Sequence, residues 1–430
     1  MTEWIDGAIT AARPRAVSAL LRYFRDLDIA EEAFQEACLR ALKTWPVKGP
    51  PRDPTAWLVL VGRNAALDGA RRRTRERPLP DEASISELDD AEASLVERLD
   101  EAHYRDDILR LLFVCCHPEL PDTQQIALAL RIVSGLTVPE IARAFLVSEA
   151  AMEQRITRAK ARVSKAGLQF EAPNAVDRAE RLAAVAAMIY LVFNAGYSAL
   201  ADDARERLCD EAVRLGRLLL RLFESEPEIM GLLALMLLQH ARRAARADGA
   251  REVVLLEDQD RSLWDAPLIA EGLALIDKAM RHRQPGPYQI QAAIAALHAR
   301  ASRPQDTDWA GIDALYAALE RVQPSPVVTL NRAVAVAKIH GPAAALALIE
   351  PLEGRLGGYF HFFGVKGALL FQLQRPNEAR EAFDRAIALA ADPVQAAYIR
   401  GQIDRLSNDF AAASPANGAR GVGTPAPPPS

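Results

Sequence analysis

Apolar positions along most of the chain recur at intervals of three and four residues. In RDLDIAEEAFQEACLRALKTW, Ala30, Ala33, Phe34, Ala37, Cys38, Ala41 and Leu42 follow the i, i+3, i+4, i+7, i+8 spacing of one buried helix face. No period-two run rich in β-branched residues interrupts the pattern, so the sequence predicts an all-α protein. The run KTWPVKGPPRDP (43–54) carries four prolines and reads as a loop between helices. Asp53-Pro54 then opens a helix, with proline in the first turn where its missing N–H costs nothing. That helix runs through Trp57 to about Arg75, and helical spacing resumes at 104–116, at 122–133 and in GLTVPEIARAFLVSEAAMEQRITRAK (135–160).

Where the periodicity lapses, boundaries are predicted. Residues 78–101 hold nine acids against one arginine and read as a flexible acidic connector. Gly167 and Pro173 mark a second break, and the tail 409–430 is low in complexity and expected to be disordered. Near the C-terminus Ala333, Ala345 and Ile349 recur thirty-four residues later as Gly367, Ala379 and Phe383, with Ala386 completing the pattern. That period and the alternation of small and large residues resemble a tetratricopeptide helix–turn–helix, small residues letting paired helices approach and the aromatic filling the gap. The expected division is 1–77, a linker 78–102, 103–168, 177–282, repeats at 283–408, and the tail 409–430.

The net charge of the 430 residues is −5, which argues against a histone-like binder, but the charge is patterned. Residues 63–77 hold six arginines against two acids, and 149–165 hold five Lys/Arg against two glutamates. Two basic helical stretches thus flank the acidic connector.

Within 135–160, Ile141, Ala142, Phe145 and Val147 fall where a helix-turn-helix needs apolar packing, and Ser148 sits as the N-cap of its second helix. Along that helix Met152, Ile156, Ala159 and Val163 form an inward stripe. Gln154, Thr157 and Arg158 point the opposite way, with Arg155, Lys160 and Arg162 on the flanks. The outward set suits base edges and the flanking cations suit phosphates. An amphipathic helix with a solvated cationic face is the alternative. In DPTAWLVLVGRNAALDGARRR, Trp57, Asn64 and Asp68 share a face near Arg71, and Arg71, Arg72 and Arg73 crowd the end. Aromatic, amide and cation together suit an unstacked base; Trp57 as core is the alternative. Upstream, Glu31, Glu32, Gln35, Glu36 and Arg40 lie opposite the apolar stripe, as plain solvent exposure or as a docking surface for a basic partner.

In this order the three blocks resemble the sigma-70 family, specifically extracytoplasmic-function (ECF) sigma factors. The resemblance covers about residues 10–168. It implies that RDLDIAEEAFQEACLRAL corresponds to regions 2.1–2.2, which bind core RNA polymerase, with Asp28, Glu31, Glu32, Gln35 and Glu36 as contacts. It implies that DPTAWLVLVGRNAALDGARRR corresponds to regions 2.3–2.4, meeting the −10 element through Trp57, Asn64, Arg71, Arg72 and Arg73. It implies that LTVPEIARAFLVSEAAMEQRITRAKARV corresponds to region 4.2, meeting the −35 element through Gln154, Arg155, Thr157, Arg158, Lys160 and Arg162. Leu146 stands where a helix-turn-helix usually has glycine. The blocks LLFVCCHPELP, IYLVFNAGY, LLEDQDRSLWD, GPYQIQAAIAALHA and SPVVTLNRAVAVA are similar to those of a subgroup with a long helical, tetratricopeptide-like extension. Ala195 and His340-Gly341-Pro342 depart from that subgroup, where an acid and a DGP-type turn are usual.

Other chemistry is sparse. Cys115-Cys116-His117 lacks the two-residue gap that brings two thiolates to one zinc, so no metal is expected and packing at a helix end is. No phosphate-cradling glycine loop, HExxH or nucleophile elbow occurs, so neither a cofactor nor an enzyme is expected. Asp258, Asp260, Arg261 and Trp264 in EDQDRSLWD read either as a ligand-binding cluster or acid pair, or as a capped helical turn. The start MTEWIDGAIT is no signal peptide, no stretch of about 18 apolar residues suggests a membrane span, and the four cysteines form no disulfide framework, so a cytoplasmic protein is expected. The expected partners are core RNA polymerase, promoter DNA and a regulatory protein or ligand on the extension. The competing functions are a stand-alone helix-turn-helix regulator with a sensing repeat domain, and a helical-repeat enzyme or scaffold using the 255–265 cluster.

Overall fold

The computed structural model describes residues 3–74, 101–117, 119–145, 147–165, 175–197, 203–246, 254–390, 396, 399–401 and 403. Among the described residues the regular elements are helical, and no strand occurs. The expectations for the connector through residue 100, for Leu146, for the 167–173 break and for the tail lie outside the described residues.

Three helices open the chain: α1 (Glu3–Phe24), α2 (Leu27–Lys48) and α3 (Pro54–Thr74). Asp26 caps α2 by accepting the Ile29 N–H at 2.9 Å, and Asp53 caps α3 by accepting those of Thr55 and Ala56 at 2.8 and 3.1 Å. Ala30, Ala33, Phe34, Ala37 and Ala41 are buried in the core that α2 shares with α1 and α3. Leu42 departs from its expected burial, because the stripe passes from Ala41 to Trp45 and leaves Leu42 43% exposed beside it.

A larger correction concerns the predicted loop at 43–54, since α2 continues through Pro46 to Lys48. Trp45 explains it: the ring is buried, stacked with Trp4 at 6.1 Å and edge-on to Trp57 at 5.3 Å. Burying a large apolar side chain contributes about 1.5–3 kcal/mol, comparable with the roughly 3 kcal/mol that an interior proline costs. Gly49, at φ 83°, ends the helix and donates its N–H to the Trp45 carbonyl at 2.9 Å.

Next come α4 (Glu101–Cys115) and α5 (Asp122–Ala129), and α5 runs into a π-helical turn at Leu130–Ser134. Gly135 closes that turn at φ 77°, where a Cβ would also meet Arg13 Cδ at 2.8 Å, so glycine is required twice over. Then follow α6 (Val138–Ala144) and α7 (Glu149–Lys165). Thr137 and Glu140 form a reciprocal capping box at the start of α6, a signal present in the sequence as TVPE.

Beyond these lie α8 (Ala175–Gly196), α9 (Asp203–Leu222), α10 (Pro227–His240), α11 (Ala266–Met280) and α12 (Pro287–Arg300). Within α8, Ala179–Gly196 is long and apolar enough to cross a membrane by length and composition. Val185, Ile189, Val192 and Phe193 of that stretch are buried in the core shared with α9, while Leu191 is exposed. The last helices are α13 (Trp309–Val322), α14 (Pro326–His340), α15 (Pro342–Ile349), α16 (Glu353–Leu356), α17 (Phe360–Gln372) and α18 (Pro376–Leu389).

Packing divides the chain into two units: Met1–His240 with Pro267–Ala292, and Ala241–Ala266 with Ala293–Ser430. In the second, α14 packs with α15 and α17 with α18. The thirty-four-residue register places Ala333, Ala345, Ile349, Ala379, Phe383 and Ala386 in one buried cluster. Gly367 is buried too, and a Cβ there would lie 2.7 Å from the Phe383 ring, so the aromatic occupies the space that glycine leaves. Phe383→Ala is therefore expected to destabilise the second unit by about 3–5 kcal/mol. An earlier urea transition in the circular dichroism of the full chain is the readout, and an unshifted one would refute the packing.

Candidate nucleic-acid interface

Helix α7 begins at Ser148, whose Oγ accepts the Ala151 N–H at 3.2 Å. Its buried residues are Met152, Ile156, Ala159 and Val163, the stripe that the spacing predicts. Gln154, Thr157, Arg158 and Arg162 are exposed; Arg155 and Lys160 are half-buried. Arg162 donates to Gln124 Oε1 at 3.4 Å. An amide, a hydroxyl and a guanidinium thus face solvent together on α7, the donor and acceptor set that reads base edges in a major groove.

Helix α3 corrects one of the two expectations for Trp57, in favour of the core reading. Residues 55–62 are buried, and Trp57, only 8% exposed, meets Trp45 edge-on in the core. So little of the ring reaches solvent that it offers no open face to a base in this arrangement. Asn64 is half-buried and accepts from Arg63 at 3.4 Å, with the Arg63 guanidinium 5.9 Å from the Tyr23 ring. The side chains of Arg71, Arg72 and Arg73 lie outside the described residues.

Helix α2 corrects another. Glu31 is not exposed: 4% of it reaches solvent, and its carboxylate sits among three cations from other elements. Oε1 lies 3.0 Å from Arg131 Nε and 3.9 Å from Arg13, and Oε2 lies 2.7 Å from Lys160 Nζ. Gln35 donates to Oε1 at 3.3 Å. The Glu31 carboxylate turns inward because these cations line the α2 surface; the sequence places them up to 129 residues away. Asp28, with 68% of its side chain exposed, still reaches Lys160 Nζ at 2.7 Å. Glu32 and Gln35 are exposed, and half-buried Glu36 pairs with Arg40 at 3.1 Å.

The cations have further anchors. Arg13 donates to the Ile132 and Arg131 carbonyls at 3.0 and 3.1 Å and lies 4.9 Å from the Phe34 ring. Burial lowers its pKa, and Arg131 adds to that, against the opposing pull of Glu31. For Lys160 burial would lower the pKa, but the hydrogen bonds to Asp28 and Glu31 outweigh it and the pKa is raised. The stabilisation that Lys160 supplies is therefore complete below about pH 10.5, the ordinary lysine value, and is lost as pH rises through the raised one.

Comparison with known proteins agrees with this layout. Residues 8–76 match the family described as Sigma-70 region 2, and residues 110–163 match Sigma-70, region 4. A probable ECF RNA polymerase sigma factor, SigI, of Mycobacterium tuberculosis is 26% identical over 161 residues, 37% of this chain and 54% of that protein. The chain is a sigma factor of the ECF type, with a C-terminal extension. Its function is in transcription initiation, and the sigma-70 families it matches are non-enzymatic. Residues 181–280 of the extension match a family of unknown function, DUF6596. A Rhizobium meliloti protein described as uncharacterized is 70% identical over 408 residues, 94% of this chain and 96% of its own length. No solved structure matches.

Two residues of this sigma factor's charge cluster escape motif reading, Arg13 and Arg131. The available signal was a lone cation inside an apolar run, as in ALALRIVSG at 127–135. The sigma factor also joins its region 4 to the extension. Glu140 of the capping box lies 3.5 Å from Arg207 of α9. Burial would raise the Glu140 pKa, but the Thr137 hydrogen bonds and Arg207 hold it below the usual carboxylate range. Cys115 and Cys116 are buried at the end of α4, and burial pushes the Cys116 thiol up to about 12. Glu31→Ala should cost about 3–5 kcal/mol, because it leaves buried Arg13 and half-buried Arg131 without their carboxylate partner. Thermal unfolding followed by circular dichroism checks this, and a variant as stable as the parent would remove the cluster's structural role.

Proposed function

We propose that this sigma factor binds core polymerase through α2, meets the −10 element through α3, and reads the −35 element through α7. The observation that carries the assignment is the division of α7 into an enclosed apolar stripe and an exposed Gln154–Thr157–Arg158 face. Arg155, Lys160 and Arg162 contact phosphates in this scheme. At α3, Asn64 and the Arg71–Arg73 run carry the −10 contacts; Trp57 takes part only if the aromatic cluster opens. At α2, exposed Glu32 and Gln35 with half-buried Glu36 are the polymerase contacts in this scheme. Asp28 becomes available when Lys160 leaves it, and Glu31 only when Arg131 and Arg13 release it as well. We further propose that the extension is regulatory, supported by the Glu140–Arg207 ion pair and by the packing of α9 against α6.

Promoter-specific transcription by core polymerase plus the purified protein is the deciding experiment, and residues 1–170 in the same assay read the contribution of the extension. Transcription that starts no more often with the protein than without it would overturn the assignment. Gln154→Ala or Arg158→Ala should cost roughly 1–3 kcal/mol and relax preference at one or two base pairs. Arg162→Ala should weaken binding on all sequences and flatten its salt dependence. A randomised-promoter selection distinguishes these, and an unchanged preference for both Gln154→Ala and Arg158→Ala removes base reading from α7.

For the polymerase contact, Glu32→Lys combined with Glu36→Lys reverses the exposed charge while the apolar stripe stays intact. Affinity for core enzyme should fall at least tenfold, about 1.4 kcal/mol, with the circular dichroism spectrum unchanged. Equal retention of variant and parent on immobilised core enzyme would place the contact elsewhere.

A further inference from the structure

The LLEDQDRSLWD segment (255–265) has no part in promoter recognition as proposed above, yet it forms one wall of a cleft of about 520 Å3 within the second unit. Its two expected roles separate in the structure. Asp260 does cap a short turn, accepting the Ser262 N–H at 2.9 Å and its hydroxyl at 2.7 Å. Arg261 pairs with neither neighbouring aspartate. It lies 4.7 Å from the Trp264 ring and donates to the carbonyls of His298 and Ala301, where α12 ends. The segment is thereby clasped to α12, and Leu255, Leu256 and Glu257 face the cleft.

The opposite wall is a helix stripe. Asn331, Val334, Ala335 and Lys338 of α14 line the cleft, at the three- and four-residue spacing that puts them on one face. Val334 is 41% exposed there. The remaining surface is largely aromatic and apolar, with Trp309, Ile312 and Tyr316 from α13. His298 meets Trp309 edge-on at 5.4 Å, and the Lys338 ammonium lies 5.8 Å from the same indole. Lys338 also holds Glu257 at 2.8 Å across the cleft. Burial, with Arg242 and Arg261 nearby, lowers the His298 pKa to about 4, so the imidazole is neutral at pH 7. Arg261 and Lys338 against Glu257 leave one positive charge in the lining. Ligand sites have this character: a few hundred Å3, mostly apolar, with few polar groups that fix orientation.

We propose that this cleft binds a small organic monoanion with an apolar, ring-containing body, the anionic group at Lys338 and the rings against Trp309 and Val334. The volume admits a body of two or three rings, and the single surplus positive charge selects one negative group. Lys338 then exchanges its exposed pair with Glu257 for the ligand's anion, while the Arg261 clasp stays in place. The site stands apart from promoter recognition, and its test needs neither polymerase nor DNA.

The full chain is titrated with 1-anilinonaphthalene-8-sulfonate, a two-ring system bearing an aniline and one sulfonate, and in parallel with N-phenyl-1-naphthylamine, the same body without the charge. Saturable binding of the sulfonate at one site is expected, tighter than that of the neutral probe. Lys338→Met, which keeps the stem and removes the charge, should weaken the sulfonate roughly tenfold, as expected for a hydrogen bond to a charged group, and leave the neutral probe unchanged. Val334→Trp, at an exposed position, should fill the cleft and abolish both. Lys366→Met, which removes a lysine paired with Glu353 outside this cleft, should change neither. Unsaturable binding, or sulfonate binding indifferent to both Lys338→Met and Val334→Trp in variants with the parent's circular dichroism spectrum, would overturn the proposal. So would failure of both probes alongside saturable binding of an acidic peptide, which would give the cleft to a protein partner.

Discussion

The carboxylate of Glu31 is the point on which the arrangement of the first unit turns. An acid buried to this degree costs several kcal/mol in lost hydration unless charge and hydrogen bonds replace it. Its replacements come from α1, from the π turn after α5, and from α7, through Arg13, Arg131 and Lys160. The region 2 match and the region 4 match therefore meet at one ion cluster. Each matched segment depends on the other here, since Glu31 without the cations would be a buried charge short of partners, and Arg131 without Glu31 would lose its carboxylate.

The same geometry sets a competition. Lys160 lies on the helix proposed to meet DNA, and its ammonium is held by two carboxylates of the helix proposed to meet polymerase. Two of the three ammonium N–H donors are committed to Asp28 and Glu31, and those carboxylates offset the charge that a phosphate would meet. A phosphate thus competes with the α2 acids for Lys160, and Lys160 competes with polymerase for those acids. The two proposed interfaces are coupled through a single pair of helices, because releasing Lys160 from the α2 acids frees charge at both. The extension adds a second tie: Glu140 caps α6 and also meets Arg207, so a shift of α9 is felt at the first turn of the helix-turn-helix.

What could be read from the sequence divides along physical lines. The α7 stripe of Met152, Ile156, Ala159 and Val163 was legible because the helix keeps one face in water, and periodicity reports that contrast directly. Caps at Asp53 and Ser148 were legible because they are local. The burial of Trp57 was legible only as one of two readings and that of Glu31 not at all, since each depends on partners fixed by the fold; the Lys160 that turns Glu31 inward is 129 residues away. Pro46 inside α2 has the same origin: local propensity argues for a break, and the packing of Trp45 overrides it. Arg261 was legible as part of a cluster, but the carbonyls that hold it belong to α12, so its role in shaping a cleft could not be foreseen from EDQDRSLWD alone.

Charge shows the same dependence on place. A net charge of −5 would repel DNA if it acted as a whole. Mobile ions screen exposed charges beyond about 8 Å at physiological ionic strength, so a phosphate beside α7 responds chiefly to Arg155, Arg158 and Arg162 and only weakly to distant acids. What weakens that local field is close at hand: Asp28 and Glu31 cancel Lys160 at 2.7 Å. Parting α2 from α7 would free Asp28 on one helix and Lys160 on the other, while Arg131 and Arg13 still hold Glu31. The local charge of each proposed interface would then move toward that of its partner's complement, negative toward a basic protein surface and positive toward DNA, with no change in the charge of the chain.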